Sequence, residues 1–215
     1  MTTIAIGLYD RFTVLDAIGP YQVLSSIPGA DTVVCAAEAG PVPDEVGALT
    51  FQVEHTFDEI AKPDVLVVPG GFAARRVAEE GHPIVDWVRQ AHEHTTWTTS
   101  VCTGALILGA AGLLDGLDAT THWYAYDQLA GYGASPTEER VVRRGKIITA
   151  AGVSAGIDMG LTLTAELAGP EVAQGIQLAI EYDPQPPFDC GAPSKADPGV
   201  LEVMRAMAKQ ADANA

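Results

Sequence analysis

The sequence predicts an α/β fold whose mainly parallel sheet is covered by helices on both faces. Short runs of β-branched and other apolar residues alternate with segments of helical spacing along the whole chain. The strand-like runs are apolar throughout, as in strands buried on both faces. Hydrophobic residues make up 47% of the chain and charged residues 19%, which is enough to bury a large core.

Length and charge narrow the classes of protein that fit. The 215 residues predict one domain spanning 1–215, and 28 acidic against 12 basic residues give a formal net charge of −16. This charge disfavours nucleic-acid binding, and solubility is its simplest explanation. We expect no membrane partner, since no signal peptide and no apolar stretch of about 18 residues is present. Three cysteines without regular spacing do not form a disulfide framework, which favours a reduced, cytoplasmic protein.

The predicted elements follow one another in a strand–helix order. Proline suits a first helical turn, so the helix over 14–26 is expected to begin near Gly19-Pro20. The strand that begins at Asp64 stops at Pro69 and two glycines. Strands are predicted at 3–8, 31–37, 64–68, 97–101, 119–122 and 138–150, and helices at 14–26, 83–94, 104–114, 154–168, 170–182 and 198–212.

The clearest chemical signal is a cysteine between a strand and a helix. Cys102 follows a strand directly and precedes a helix without a spacer, the position of the nucleophile in a strand–turn–helix elbow. Its neighbours Ser100, Gly104 and Ala105 are small, as close approach of the two backbones requires. A helix N-terminus favours the thiolate. The alternative is a buried structural cysteine; Cys35, inside a strand, is expected to be core.

A glycine pair supplies a second candidate feature. Gly70 and Gly71 follow a strand, where backbone N–H groups face the crevice at the carboxyl edge of an open α/β sheet. The N–H groups of Gly71 and Thr103 are candidates to stabilise negative charge on a reacting group. An ordinary turn is the alternative, because a Gly-Gly pair alone is a weak signal.

These motifs together resemble the DJ-1/PfpI superfamily, and within it the isonitrile hydratases. The resemblance covers nearly the whole chain, and the stretch from Gln177 to Asp189 is its most specific part. The residues that carry it are Leu15-Asp16-Ala-Ile-Gly-Pro20, Pro69-Gly70-Gly71, Ser100-Val-Cys102-Thr103-Gly104, Ala119-Thr-Thr-His122-Trp123, Ala150-Ala-Gly-Val-Ser154-Ala-Gly156 and Gln177-Leu-Ala-Ile-Glu181-Tyr-Asp-Pro-Gln-Pro-Pro-Phe188-Asp189.

The resemblance implies a flavodoxin-like three-layer sandwich, a homodimer, and a small-molecule isonitrile as substrate. It implies that Cys102 is the nucleophile, assisted by Asp16 and Thr103. Gly70, Gly71, Gly104 and His122 are the candidate oxyanion- and substrate-binding residues, and no metal or organic cofactor is expected. Several protease- or deglycase-like relatives carry His directly after the cysteine, whereas this chain carries Thr103. Many members of the superfamily use Glu as the acidic partner, whereas this chain has Asp16.

The reactivity of isonitriles suggests a mechanism in which these residues take part. An isonitrile carbon accepts both a nucleophile and a proton, so Cys102 is expected to attack it while Asp16 protonates it. Ionised Asp16 then activates water, and an N-substituted formamide leaves. In a second version Asp16 activates water directly and Cys102 only positions the substrate. A nearby thiolate is expected to raise the pKa of Asp16.

The sequence leaves alternative roles open for several of these residues and for the whole protein. Asp16 also fits a helix cap, His122 a packed core histidine, and Glu181–Phe188 a pocket wall, a dimer interface or an ordered connector. The competing functions are another cysteine hydrolase or glyoxalase-like activity, a non-catalytic ligand sensor, and a redox sensor acting through Cys102.

Overall fold

The computed structural model describes residues 1–214, and side chains are described for residues 1–210. Seven strands form one sheet in the order β10-β11-β7-β6-β1-β2-β5, and every pairing is parallel except β10 with β11. The strands are β1 (Thr2–Gly7), β2 (Ala30–Ala36), β3 (Gly40–Pro43), β4 (Thr50–Val53), β5 (His55–Thr56), β6 (Val65–Val68), β7 (Trp97–Val101), β8 (Asp118–Ala119), β9 (Ser135–Pro136), β10 (Val141–Arg144) and β11 (Ile147–Ala150).

Helices cover the sheet on both faces. From β1 the chain crosses to β2 in one direction, whereas from β6 it crosses to β7 in the other, so right-handed connections put their helices on opposite faces. The predicted α/β fold is therefore confirmed. The helices are α1 (Val14–Leu24), α2 (Ala74–Glu79), α3 (Pro83–His92), α4 (Gly104–Ala110), a 3₁₀ turn (Trp123–Ala125), α5 (Tyr126–Gly131), α6 (Ala155–Ala168), α7 (Pro170–Ala179) and α8 (Pro198–Asn214).

This reversal marks where a ligand site is expected. Strands β1 and β6 are neighbours in the centre of the sheet, and the connections leaving them diverge. In open α/β sheets the crevice between such diverging connections, at the carboxyl ends of the strands, is the usual binding position. The segments that follow β1 and β6 carry Asp16 and the Gly70-Gly71 pair.

The expected start of the first helix near Gly19 is wrong. Helix α1 begins at Val14, after Thr13 in an extended conformation, and Pro20 lies in its interior. Packing against α6 explains the Gly-Pro pair, because a Cβ on Gly19 would lie 3.2 Å from Ile157 Cγ1 and a Cβ on Gly156 would lie 3.1 Å from Pro20 Cδ. The absence of side chains at Gly19 and Gly156 lets α1 and α6 approach closely.

Other differences concern short elements. The sequence patterns did not predict the antiparallel β3–β4 hairpin, the short strands β5 and β9, or helices α2 and α5. The strand expected at 119–122 is limited to Asp118–Ala119, and the helix expected to reach 114 ends at Ala110. No helix in the described part of the chain is long and apolar enough to cross a membrane.

Candidate active site

The backbone at Cys102 forms a strained turn between β7 and α4. Cys102 has a φ of 57°, a left-handed conformation that non-glycine residues rarely adopt. Its N–H is shared between the carbonyls of Ala150 (3.0 Å) and Ala151 (2.9 Å), and the Thr121 hydroxyl donates to its carbonyl at 2.9 Å. Contacts from two other segments therefore hold the elbow in place and fix the direction of the side chain.

Glycine is required immediately after the turn. A Cβ on Gly104 would overlap the Val68 carbonyl oxygen and lie 2.9 Å from the Pro69 carbonyl oxygen. Both are backbone atoms that a side-chain movement cannot displace. Gly104 therefore allows α4 to pack closely against the end of β6. Gly104 itself does not line the cavity described below.

Asp16 lies behind the cysteine and is fully buried. Its Oδ2 accepts a hydrogen bond from the Gly70 N–H at 2.9 Å, and its Oδ1 is buried without a hydrogen-bond partner among the described residues. The residue before the helix is Thr13, so Asp16 is not its N-cap. The helix-cap interpretation is thereby excluded, and the carboxyl group bridges α1 to the glycine turn after β6.

Burial makes this carboxyl group less acidic than an ordinary aspartate. The pKa of Asp16 is raised to about 7, chiefly by removal from water and to a smaller extent by Glu45, while the Gly70 N–H and the Cys102 thiol act in the opposite direction. The rise was expected, but its cause is burial rather than a neighbouring thiolate. Asp16 is consequently able to both take up and release a proton near neutral pH.

The Thr103 N–H at the helix N-terminus favours the Cys102 thiolate as expected, but other contributions outweigh it. Burial and the negative charge of Asp16 raise the pKa of the Cys102 thiol well above its usual value, although the N–H groups of Thr103 and Val153 lower it. Two backbone donors do not offset the loss of hydration at a side chain that is 3% exposed. Burial therefore favours the protonated thiol, and an attack by sulfur calls for a group that accepts its proton.

Thr103 and the glycine pair form a rigid support. The Thr103 hydroxyl accepts from the Gly71 N–H at 2.9 Å and donates to the Gly71 carbonyl at 3.0 Å. A Cβ on Gly70 would lie 2.6 Å from Thr103 N and 2.8 Å from Asp16 Oδ2. Glycine therefore lets the three segments meet. The Gly70 and Gly71 N–H groups are both engaged by side chains of the site.

An apolar cavity of about 300 Å³ opens above Cys102. Asp16 lies next to Cys102 but is not among the residues that line the cavity, and the Glu181–Phe188 stretch does not line it either. The C-terminal helix α8 contributes part of the cover. The lining residues are Thr13, Glu45, Phe72, Cys102, His122, Trp123, Tyr124, Val153, Met204, Met207 and Ala208.

His122 belongs to the aromatic wall of this cavity. Its ring centroid lies 4.2 Å from that of Tyr124 and 5.5 Å from that of Trp123, and its Cδ2 would be 2.9 Å from a Cβ on Gly152. Burial lowers the pKa of His122 to about 4, and its Nδ1 is buried without a partner among the described residues. His122 is therefore neutral at physiological pH.

Sequence reasoning missed the residues that reach the cavity from distant elements. Glu45 lies in the loop after β3 and accepts a hydrogen bond from the Thr13 hydroxyl at 2.7 Å. Met204 and Met207 belong to α8. No local pattern identifies such residues, since only the tertiary fold brings them to Cys102. Cys35 is buried in β2 and Cys190 is exposed, both outside the cavity.

No group of three or more His, Cys, Asp or Glu side chains in the described part of the chain is arranged to hold a metal ion. The groups that the site does offer are a thiol, a carboxyl group of pKa near neutrality, a hydroxyl and backbone N–H donors. These groups are suited to nucleophilic addition coupled to proton transfer.

A mainly parallel α/β sheet with a cysteine at a left-handed elbow, supported by a buried carboxyl group, defines a class of cysteine-dependent α/β proteins. The chain belongs to the DJ-1/PfpI family, whose model matches residues 2–166. It is 42% identical to the isonitrile hydratase of Pseudomonas putida over 92% of this chain and 86% of that protein.

A solved structure of a ThiJ/PfpI family protein from Pseudomonas syringae superposes on the chain with a TM-score of 0.92 and 40% identity, covering 99% of this chain and 89% of that one. The HTH-type transcriptional regulator CdhR of Pseudomonas aeruginosa is 34% identical over 69% of this chain, which covers 44% of the regulator. The family therefore includes both enzymes and segments of regulators.

Proposed function

We propose that the protein is an isonitrile hydratase, which adds water to an isonitrile and releases an N-substituted formamide. The observation that carries the proposal is the pairing of a buried elbow thiol with a carboxyl group whose pKa is about 7. An isonitrile carbon needs a nucleophile and a proton on the same atom, and this pair supplies both. The similarity to the Pseudomonas putida enzyme over most of both chains supports the same activity.

In the first step the pair adds across the isonitrile carbon. The Asp16 carboxylate takes the thiol proton as the Cys102 sulfur forms a bond to the terminal carbon. Asp16 then delivers that proton to the same carbon as a general acid. The product is a thioimidate, R–N=CH–S–Cys, and Asp16 is again a carboxylate.

In the second step water replaces the sulfur. The Asp16 carboxylate removes a proton from water while the hydroxyl oxygen bonds to the thioimidate carbon, and the nitrogen receives the proton. Collapse of this adduct breaks the carbon–sulfur bond and returns a proton to the sulfur. The formamide R–NH–CHO leaves, and the thiol and carboxylate are restored, so no cofactor takes part.

The remaining candidate residues have supporting roles in this proposal. Thr103 positions the glycine pair, and its N–H faces the reacting sulfur. Gly70 holds the carboxyl group of Asp16, and Gly104 allows the elbow to form. His122, neutral and packed between aromatic rings, shapes the wall against which the substrate lies.

We also propose a single domain that acts as a cytoplasmic homodimer. One continuous hydrophobic core joins both helix layers to the sheet, which supports one domain. Leu15 and Tyr21 of α1 and Val203 of α8 are exposed apolar side chains that a second copy would cover. Light scattering on the purified protein measures the assembly directly, and a mass of one chain would contradict the dimer.

Turnover of a simple alkyl isonitrile tests the activity. Purified protein is incubated with cyclohexyl isocyanide and formamide formation is followed, with Cys102→Ala beside the wild type. Cys190→Ala, the loss of an exposed thiol, is the matched control and is expected to keep its activity. Formamide from the wild type and the control but none from Cys102→Ala supports the proposal. No turnover of any alkyl or aryl isonitrile by the wild type would refute it.

A further inference from the structure

A second cavity of about 470 Å³ adjoins the one above Cys102. Trp123, Tyr124 and Ala208 line both cavities, so the two are adjacent along the aromatic wall and helix α8. The remaining lining residues of the second cavity are Tyr126, Asp127, Gln128, Arg205 and Lys209.

The two cavities differ in chemistry. The cavity above Cys102 is covered by Phe72, Met204 and Met207, and no cationic side chain lines it. The second cavity has Arg205 and Lys209 at its side, four residues apart on α8 and therefore on the same helical face. An apolar cavity at the reacting thiol thus adjoins a second cavity that is flanked by two cations.

These two cations have no anionic partner among the side chains of residues 1–210. Among residues with described side chains, neither Arg205 nor Lys209 forms an ion pair or hydrogen bond, although Asp127 lines the same cavity. Most other basic residues have one. The ion pairs are Arg75–Glu79, Arg89–Asp86, Arg140–Asp158, Arg143–Glu166, Arg144–Asp118 and Lys195–Asp189.

In a chain with 28 acidic and 12 basic residues, two neighbouring cations that meet no acidic group within the described part of the chain are unexpected. We propose that they form a subsite for an anionic group on the substrate. The substrate class is then an isonitrile whose nitrogen substituent has an apolar body and ends in a carboxylate. This inference rests on the proposed isonitrile hydratase function.

The placement of the groups agrees with such a ligand. With the isonitrile carbon at Cys102, the apolar body lies against the rings of Trp123 and Tyr124, which line both cavities. A terminal carboxylate then reaches the guanidinium group of Arg205, whose planar fork binds carboxylates with two parallel hydrogen bonds. Lys209 adds a second positive charge one turn further along α8.

Substrate pairs that differ only in charge test the subsite. A series of linear isonitriles ending in a carboxylate is compared with the corresponding methyl esters, and kcat/KM is measured for each. The wild type is expected to prefer the carboxylate at the best chain length. Because exposed ion pairs are individually weak, Arg205→Gln and Lys209→Gln should each lower the carboxylate-to-ester ratio about threefold, and the double variant about tenfold.

Lys62→Gln is the matched control, since it removes an exposed positive charge that lines neither cavity. It is expected to leave the ratio unchanged, which separates a local contact from the overall field. High salt should reduce the preference of the wild type by screening. A wild type that hydrates the esters and carboxylates equally well would overturn the subsite and leave the proposed function standing.

A binding measurement covers the case in which no isonitrile is hydrated. The formamide that ends in a carboxylate is added to the protein, and alkylation of Cys102 by iodoacetamide is followed by peptide mass spectrometry. Stronger protection by this formamide than by its methyl ester, lost in the double variant but not in Lys62→Gln, supports the subsite even if the proposed reaction fails. Equal protection by both compounds would overturn it.

Discussion

At the scale of single residues, Asp16 joins catalysis to a cost in stability. Its carboxyl group is fully buried, and one of its oxygens has no hydrogen-bond partner among the described residues. Folding therefore favours the protonated form, which is why burial raises its pKa to about 7. A side chain selected for stability alone would not be ionisable here, so its presence favours a chemical role.

The effect on stability has a defined sign. Between pH 3.8, the ordinary pKa of an aspartate, and about pH 7 the folded protein holds this proton and the unfolded chain does not, so stability falls as pH rises through that window. A rise in pKa of this size corresponds to about 4 kcal/mol. In the proposed reaction the Asp16 carboxylate accepts the thiol proton, so turnover is expected to rise with pH through about 7.

Asp16→Asn should separate these two effects. We expect turnover to fall roughly 100- to 10,000-fold because the proton acceptor is lost. The free energy of unfolding should increase by up to about 4 kcal/mol at pH 8 and change little at pH 4, since only the ionised form is penalised. Kinetics and denaturant unfolding at both pH values measure this.

Asp44→Asn is the control for this change, because Asp44 is another buried aspartate and its Oδ1 accepts from the Leu49 N–H outside the cavity. It is expected to keep turnover and to lack the gain in stability. An Asp16→Asn protein that turns over at the wild-type rate would rule out the catalytic role.

The residue scale also shows where sequence reasoning ends. Adjacency in the sequence was enough to place Cys102 at an elbow before Gly104, but it did not predict the direction in which the thiol pKa moves. That direction depends on burial and on the charge of Asp16, which is 86 positions away in the chain. Desolvation is a property of the folded molecule, so the local sequence showed the contribution of the helix N-terminus but not the larger, opposite contribution of burial.

At the scale of elements, the close contact of α4 with β6 decides whether the elbow forms. Gly104→Ala is expected to lower the free energy of unfolding by at least about 1–3 kcal/mol, because the added methyl group meets backbone carbonyls. Turnover should fall with the displaced Cys102. Gly175→Ala in α7 is the matched control: its Cβ meets open space, so we expect a gain of about 0.5–1 kcal/mol. Equal stability of the two variants in chemical denaturation would contradict this account.

Helix α8 determines the size of the cavity above Cys102. Met204 and Met207 are three residues apart, share one face of the helix and line that cavity. Methionine side chains adapt to differently shaped ligands. The helix itself was predicted at 198–212, but its contact with the cavity was not, because nothing in its own pattern indicates which surface it meets.

Shortening these two side chains should broaden the substrate range. In the Met204→Ala/Met207→Ala protein, bulky isonitriles can fill the space that is opened, whereas small ones lose their contacts with the two side chains. Each lost contact is worth about 1 kcal/mol or less, so the ratio of kcat/KM for bulky over small isonitriles is expected to rise about 10-fold. Val200→Ala, at an exposed apolar residue on the same helix that does not line the cavity, should leave the ratio unchanged. Rates with an alkyl and a bulky aryl isonitrile give the ratio, and its failure to change in the double variant would show that α8 does not limit substrate size.

At the scale of the whole molecule, the pattern of apolar residues determines the topology, whereas the net charge affects the stability of the folded state. The alternation of apolar strands and helices predicted the sheet, and the divergence of the connections from β1 and β6 explains why Asp16 and the glycine pair meet at one edge. The net charge does not determine this topology. Its effect lies in the energy of the folded state, since repulsion among 28 acidic groups opposes compaction.

Salt should therefore stabilise the protein. Mobile ions screen charges that are more than about 10 Å apart at 0.1 M, which weakens the long-range repulsion more than it weakens close ion pairs such as Arg140–Asp158. We expect Tm at pH 8 to rise by a few degrees, on the order of 1 kcal/mol of stability, between 10 and about 300 mM sodium chloride. The same titration at pH 5, closer to the sequence pI of 4.4, should give a smaller rise because fewer acidic groups are ionised. A fall in Tm at pH 8 would mean that exposed ion pairs contribute more to stability than the net charge removes.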